Sequence, residues 1–143
     1  MHLTTWEREY IRLNLGETKG LTVNQFRTCL SLLEKLELTE EEKTAIGYQA
    51  MTRGSSWEKV GYAADLQLEP AGLEMIAQLL STTVRAVVQA DSFDMTRDRN
   101  LLTLCQKLGI DFWQLIEEEQ DRIHEAETSG RSKLEDSEPP TDA

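Results

Sequence analysis

The sequence predicts a mainly α fold, a compact bundle of about five to six helices followed by a disordered acidic C-terminal tail. Three observations carry this prediction. Apolar residues recur at helical spacing of three and four through most of the first 127 positions. Helix-start signals, a side-chain acceptor followed three residues later by Glu or Gln, recur at Thr4 with Glu7, Thr22 with Gln25 and Thr39 with Glu42. From Thr128 onward Ser, Gly, Glu, Asp, Pro139 and Pro140 prevail and only Leu134 offers a side chain to bury, too little to offset ordering entropy. The expected organisation is one helical domain over residues 1–127 and a disordered tail over 128–143, in keeping with a length of 143 residues.

The first helix opens at Thr4 and runs to about Leu15, where Gly16 ends it, with Trp6, Tyr10 and Leu13 as its apolar face. A second, from Thr22 to about Glu37, presents Val23, Phe26, Leu30, Leu33 and Leu36, with Cys29 and Leu32 widening the stripe. A third opens at Thr39 and carries Ala45 and Ile46. Around residues 47–68 two readings stay open. Ser55 with Glu58 is another capping box, and a helix over Ser56 to Ala64 would bury Trp57, Val60 and Ala64. Alternatively, Tyr48 to Met51 and Ser56 to Lys59 form a short β-hairpin across Thr52 to Ser55, with Leu66 and Leu68 on a third short strand. Pro70 then opens a long helix to about Ala90, bearing Leu73, Ile76, Leu80, Val84, Val87 and Val88, with Thr82-Thr83-Val84 as its weakest point. Residues 91–95 read as a loop. Leu101, Leu104, Cys105 and Leu108 form a helix closed by Gly109, and Asp111 caps a last helix anchored by Phe112, Trp113, Leu115 and Ile116.

The net charge of −11 is uneven, because residues 117–143 hold ten acids and three bases while residues 1–116 hold 16 acids and 12 bases. An acidic chain with no basic stretch is a poor holder of phosphate backbone, which is bound by Lys and Arg displacing counterions. No uninterrupted apolar run approaches the roughly 20 residues of a membrane span. The N-terminal stretch lacks the apolar core and cleavage site of a secretory signal, and the two cysteines, Cys29 and Cys105, both lie in apolar helical stretches as buried free thiols. A reducing, cytoplasmic setting is the expectation.

Catalytic constellations are not evident. The histidines are His2 and His124, so no cluster of His, Cys and carboxylate suggests a metal site or an activated nucleophile. The glycines are scattered, without a phosphate-binding loop. Glu40-Glu41-Glu42 falls in a first helical turn, where negative charge meets the helix dipole. Nothing in the pattern pairs any two of Asp65, Asp91, Asp94 and Asp98. We therefore expect no enzyme, no cofactor and no metal. The candidate partner-binding residues are Trp6, Trp57 and Trp113, which either fill the core or anchor an interface, together with the acidic run Glu117, Glu118 and Glu119.

Two resemblances add to this reading. Ser55 to Leu66 followed by the helix at Pro70 resembles a helix-turn-helix, with Gly61 at the close approach, and so does Leu101 to Ile116. The first departs from the pattern at Asp65, where Gly is usual, and its second helix reads Ala71-Gly72-Leu73-Glu74-Met75, with no side chain suited to base edges. Separately, Leu3-Thr4, Glu7-Arg8, Gly20, Thr22, Thr39 to Glu42, Ala45-Ile46, Ser56-Trp57 and Asp65 to Leu68 together resemble small proteins carried by bacteriophages and prophages. That resemblance implies a hairpin after the third helix and a viral or mobile-element origin, and it transfers no site residues. The expected function is a protein–protein interaction module that binds and modulates a larger host or viral protein with a basic surface. Two alternatives stand beside it: a helix-turn-helix regulator, dimerising to concentrate Arg85, Arg97 and Arg99, and a small oligomeric morphogenesis protein.

Overall fold

Thr4, Thr22 and Thr39 each close a reciprocal capping box with Glu7, Gln25 and Glu42, and these three boxes fix where the first helices begin. The computed structural model describes the backbone of residues 1–137 and the side chains of residues 1–129. Of the tail expected to be disordered, 128–143, the side chains of 130–143 and the backbone of 138–143 lie outside the described residues. The chain divides into two compact units, Met1–Leu79 and the residues from Leu80 on. Among the described residues there are six helices and two small antiparallel sheets, a mainly α fold.

In the first unit, β1 (His2–Thr4) leads into α1 (Thr5–Gly16), which packs on α2 (Val23–Leu36); α3 (Glu40–Ile46) follows. Gly47 ends α3 in the left-handed conformation at φ 70°, a backbone position that favours glycine. Between 47 and 69 the chain takes the extended alternative. β2 (Gln49–Met51) pairs with β3 (Gly54–Ser56) around a two-residue turn, with Gly54 at φ 91°. β4 (Ala63–Asp65) pairs with β1, His2 against Asp65 and Thr4 against Ala63. The hairpin is shorter than the sequence suggests, and the third strand lies at 63–65, closed by a partner at the N-terminal end that pattern alone does not reveal. Of the two segments likened to a helix-turn-helix, only Leu101 to Ile116 consists of two helices joined by a short turn.

The buried face of α1 differs from the expected one, and that of α2 is narrower than expected. α1 buries Ile11 and Leu15, with Thr5 and Arg8 on the same side, whereas Leu13 is 62% exposed and Trp6 and Tyr10 are half-buried, stacked on each other at 4.9 Å. α2 buries Cys29, Leu32 and Leu36 and leaves Val23, Phe26 and Leu30 in solvent. The reason for the face of α1 is Arg8. Its guanidinium donates from Nε to Leu36 O at 3.1 Å and from Nη2 to Glu37 O at 2.9 Å, satisfying carbonyls orphaned at the end of α2. Its Nη1 donates to Glu42 Oε2 at 2.6 Å, in the first turn of α3. With Arg8 drawn inward, the Ile11 side of α1 becomes the core side.

Glu42 also accepts from Thr39 N and from Tyr62 Oη, the latter at 2.8 Å. The hydrogen bond from Arg8 chiefly, helped by those two donors and opposed by burial, lowers its pKa from the ordinary 4.5 to about 2. A carboxylate with a depressed folded pKa contributes stability that is complete above pH 4.5 and drains away as pH falls toward 2. We expect acid titration of unfolding stability to show this loss in the wild-type chain and a flatter profile over the same window in Glu42→Gln.

α4 (Pro70–Ala90) runs unbroken through Thr82 and Thr83. Its first half belongs to the first unit, where Gly72 lies so close to α2 that a Cβ would meet Leu32 Cδ2 at 2.8 Å. By length and composition it is the one helix among the described residues that could cross a membrane; Glu74 and Arg85 interrupt the apolar run that the sequence reading sought, while the average over 18 residues tolerates them. In the second unit, Leu80, Val84 and Val88 of α4 are buried, as are Leu101, Leu104 and Cys105 of α5 (Met95–Lys107) and Phe112 and Ile116 of α6 (Phe112–Ser137).

Candidate protein-binding cleft

The loop after α4 ends at Asp94, whose Oδ1 accepts from Thr96 N and Arg97 N and thereby caps α5. Asp98 reciprocates by accepting from Asp94 N at 2.6 Å. Burial would raise the Asp98 pKa, but the hydrogen bonds from Arg97 and from Asp94 N outweigh it and hold the carboxyl below its ordinary value. The structure therefore joins two acids that the sequence left apart, as a helix cap neutralised by Arg97 and not as an acid–base pair.

This cap fixes one wall of an open cleft of about 590 Å³ between α5 and α6. Leu102, Phe112 and Ile116 give it an apolar lining, and Phe93, Met95 and Trp113 stand around it, 51%, 81% and 62% exposed. Asp94, Asp98, Arg99 and Gln120 supply its polar edge. Trp113 packs edge-on against Phe112 at 5.4 Å, which orients the indole while leaving much of it in water. Large apolar side chains exposed together mark contact surfaces, unlike single exposed ones. Residues 80–129 carry ten acids against five bases, so the unit around the cleft is negative.

Set against known proteins, the chain matches no family model, no curated protein and no solved structure. The six candidate residues do not form one group. Trp113 lines the cleft; Glu117 and Glu118 are exposed one turn further along α6, with Glu118 accepting from Gln114 Nε2 at 3.1 Å. Glu119 is buried, 1% exposed, and accepts from Gln89 Nε2 at 2.8 Å, with Arg122 Nη1 at 3.2 Å from its other oxygen outside hydrogen-bond alignment. It is a structural carboxylate and no part of an acidic docking run. Trp6 and Trp57 belong to the first unit, half-buried against Tyr10 and Tyr48, the latter pair 6.4 Å apart.

Sequence reasoning missed Phe93 and Met95 because both fall in or beside a stretch read as loop. The available signal was an aromatic among Asp91, Ser92 and Asp94, where a loop has no core to fill. Cys29 and Cys105 are free and buried, and burial raises both thiol pKa values, that of Cys105 to about 11, which leaves them protonated at neutral pH. Among the described residues no group of three His, Cys, Asp or Glu is placed to hold a metal ion.

Proposed function

We propose that this chain is a non-enzymatic protein-interaction module of the phage or mobile-element kind, which binds a larger protein through the α5–α6 cleft. The observation that carries the reading is the ring of Phe93, Met95 and Trp113 around an apolar cleft in an acidic unit. The occupant that suits it is an amphipathic helix of the partner, its aliphatic side chains seated on Leu102, Phe112 and Ile116 and its flanking Lys or Arg meeting the surrounding carboxylates. Holding and blocking such a segment would modulate the larger protein without chemistry. The alternative of a DNA regulator is weakened by the engagement of Arg97 with Asp98 and Ser92 O.

The test is quantitative capture from nuclease-treated bacterial lysate with wild-type, Trp113→Ala and Phe93→Ala baits, followed by titration of the captured protein. Tryptophan anchors cost about 2 kcal/mol or more when truncated, so Trp113→Ala should weaken that affinity by about 30-fold. Deleting 128–143 should leave it intact. Equal capture by all three baits would refute the cleft; loss on deleting the tail alone would move the function there.

A further inference from the structure

A separate surface, on α2, points to a second copy of this chain. Val23, Phe26 and Leu30 are 69%, 53% and 47% exposed and, with half-buried Leu33, fall within about 80° of arc on one side of the helix. Leu13 of α1, also exposed, joins Leu30 and Leu33 in lining a groove of about 530 Å³ between α1 and α2. An exposed apolar seam spaced three, four and three is a helix-pairing pattern, and it runs beside a groove able to receive a side chain.

The charges beside the seam choose the occupant. Arg27 and Glu34 are exposed, make no ion pair among the described residues, and fall on the same edge of the seam, where Glu34 also lines the groove shared with α1. Two copies of α2 related by a two-fold axis perpendicular to both helices run antiparallel, and that operation brings equivalent edges together while reversing their order. Centred between Leu30 and Ser31, it places Arg27 of each copy opposite Glu34 of the other. The same register leaves Phe26 offset by about 3 Å along the axis from the partner's Leu33, so that the two interdigitate beside the groove lined by Leu13. A parallel pair would bring unlike edges together and leave Arg27 and Glu34 unmatched. The seam thus complements its own charges in one orientation.

We infer that the chain forms an antiparallel, isologous dimer through Val23, Phe26, Leu30 and Leu33 of α2, with reciprocal Arg27–Glu34 ion pairs. The inference is independent of the α5–α6 cleft, which lies in the other unit and stands or falls by its own test.

Charge exchange tests it without touching the core, read by sedimentation equilibrium and circular dichroism on the full chain. The wild type should be a dimer at about 100 µM, a concentration that populates even micromolar associations. Arg27→Glu sets two glutamates against each other at both symmetric positions, Glu34→Arg sets two arginines, and each should weaken dimerisation about tenfold or more. The combined Arg27→Glu, Glu34→Arg chain restores opposite charges and should recover the wild-type dissociation constant. Phe26→Glu should yield a monomer of unchanged helicity. A monomeric wild type, a dimer indifferent to Phe26→Glu, or a double exchange no tighter than either single change would overturn the proposal.

Discussion

Arg8→Met lowers the free energy of unfolding by about 3–5 kcal/mol in urea titrations, the range in which breaking a buried charge pair falls. Arg8 is 1% exposed, and its guanidinium serves three acceptors on two elements: Leu36 O and Glu37 O at the end of α2, and the Glu42 carboxylate in α3. Methionine fills similar volume and donates nothing. Two helix-terminal carbonyls then lack their partner, and Glu42 keeps only the donors Thr39 N and Tyr62 Oη. Arg8→Lys should recover little, because one ammonium cannot reproduce a planar fork spread over those groups. Glu42→Gln should cost less than Arg8→Met, since the amide oxygen still accepts a hydrogen bond and both carbonyls remain served. A loss below about 1 kcal/mol for Arg8→Met would place the guanidinium in water and remove the account of how α1, α2 and α3 are joined.

The same residue explains how much of the fold was legible. Helix starts were readable because a capping box is a local device: Thr4, Thr22 and Thr39 contact residues three positions away, and the structure closes all three boxes. α4 was readable because buried Ile76, Leu80, Val84 and Val88 are all apolar and recur every fourth residue. The inward face of α1 was not, and that of α2 only in part: buried Cys29, Leu32 and Leu36 all fall in its predicted stripe, but so do exposed Val23, Phe26 and Leu30. A periodicity argument places Arg8 outside, and only three acceptors far along the chain make its burial tolerable. With Arg8 inside, Trp6, Tyr10 and Leu13 move off the core side. β4 was illegible for a related reason, since its partner β1 lies some sixty residues away and strands of three residues carry little alternation. In the cleft, Trp113 stood out as a large aromatic near a helix start. Phe93 and Met95 acquire meaning only when the turn between α5 and α6 brings Trp113 beside them.

Ile11→Ala should destabilise the chain by about 2–5 kcal/mol, while Leu13→Ala, two residues on, should change stability by no more than about 0.5 kcal/mol. Periodicity read from the sequence demands the reverse, because it sets Trp6, Tyr10 and Leu13 on the core side and gives Ile11 no role. In the structure Ile11 is fully buried and Leu13 is 62% exposed, so truncation leaves a cavity at one and trims a side chain from water at the other. Since Leu13 lines the groove beside α2, its replacement also alters any self-association, and the pair is best measured in the Phe26→Glu background, where the dimer contact is removed. In that background the Leu13 effect should stay near zero. If Leu13→Ala instead costs several kcal/mol and Ile11→Ala little, α1 is rotated about its axis, the Arg8 cluster is exposed, and the α2 seam is core. One pair of substitutions on a single helix therefore tests the placement on which both the Arg8 network and the dimer surface depend.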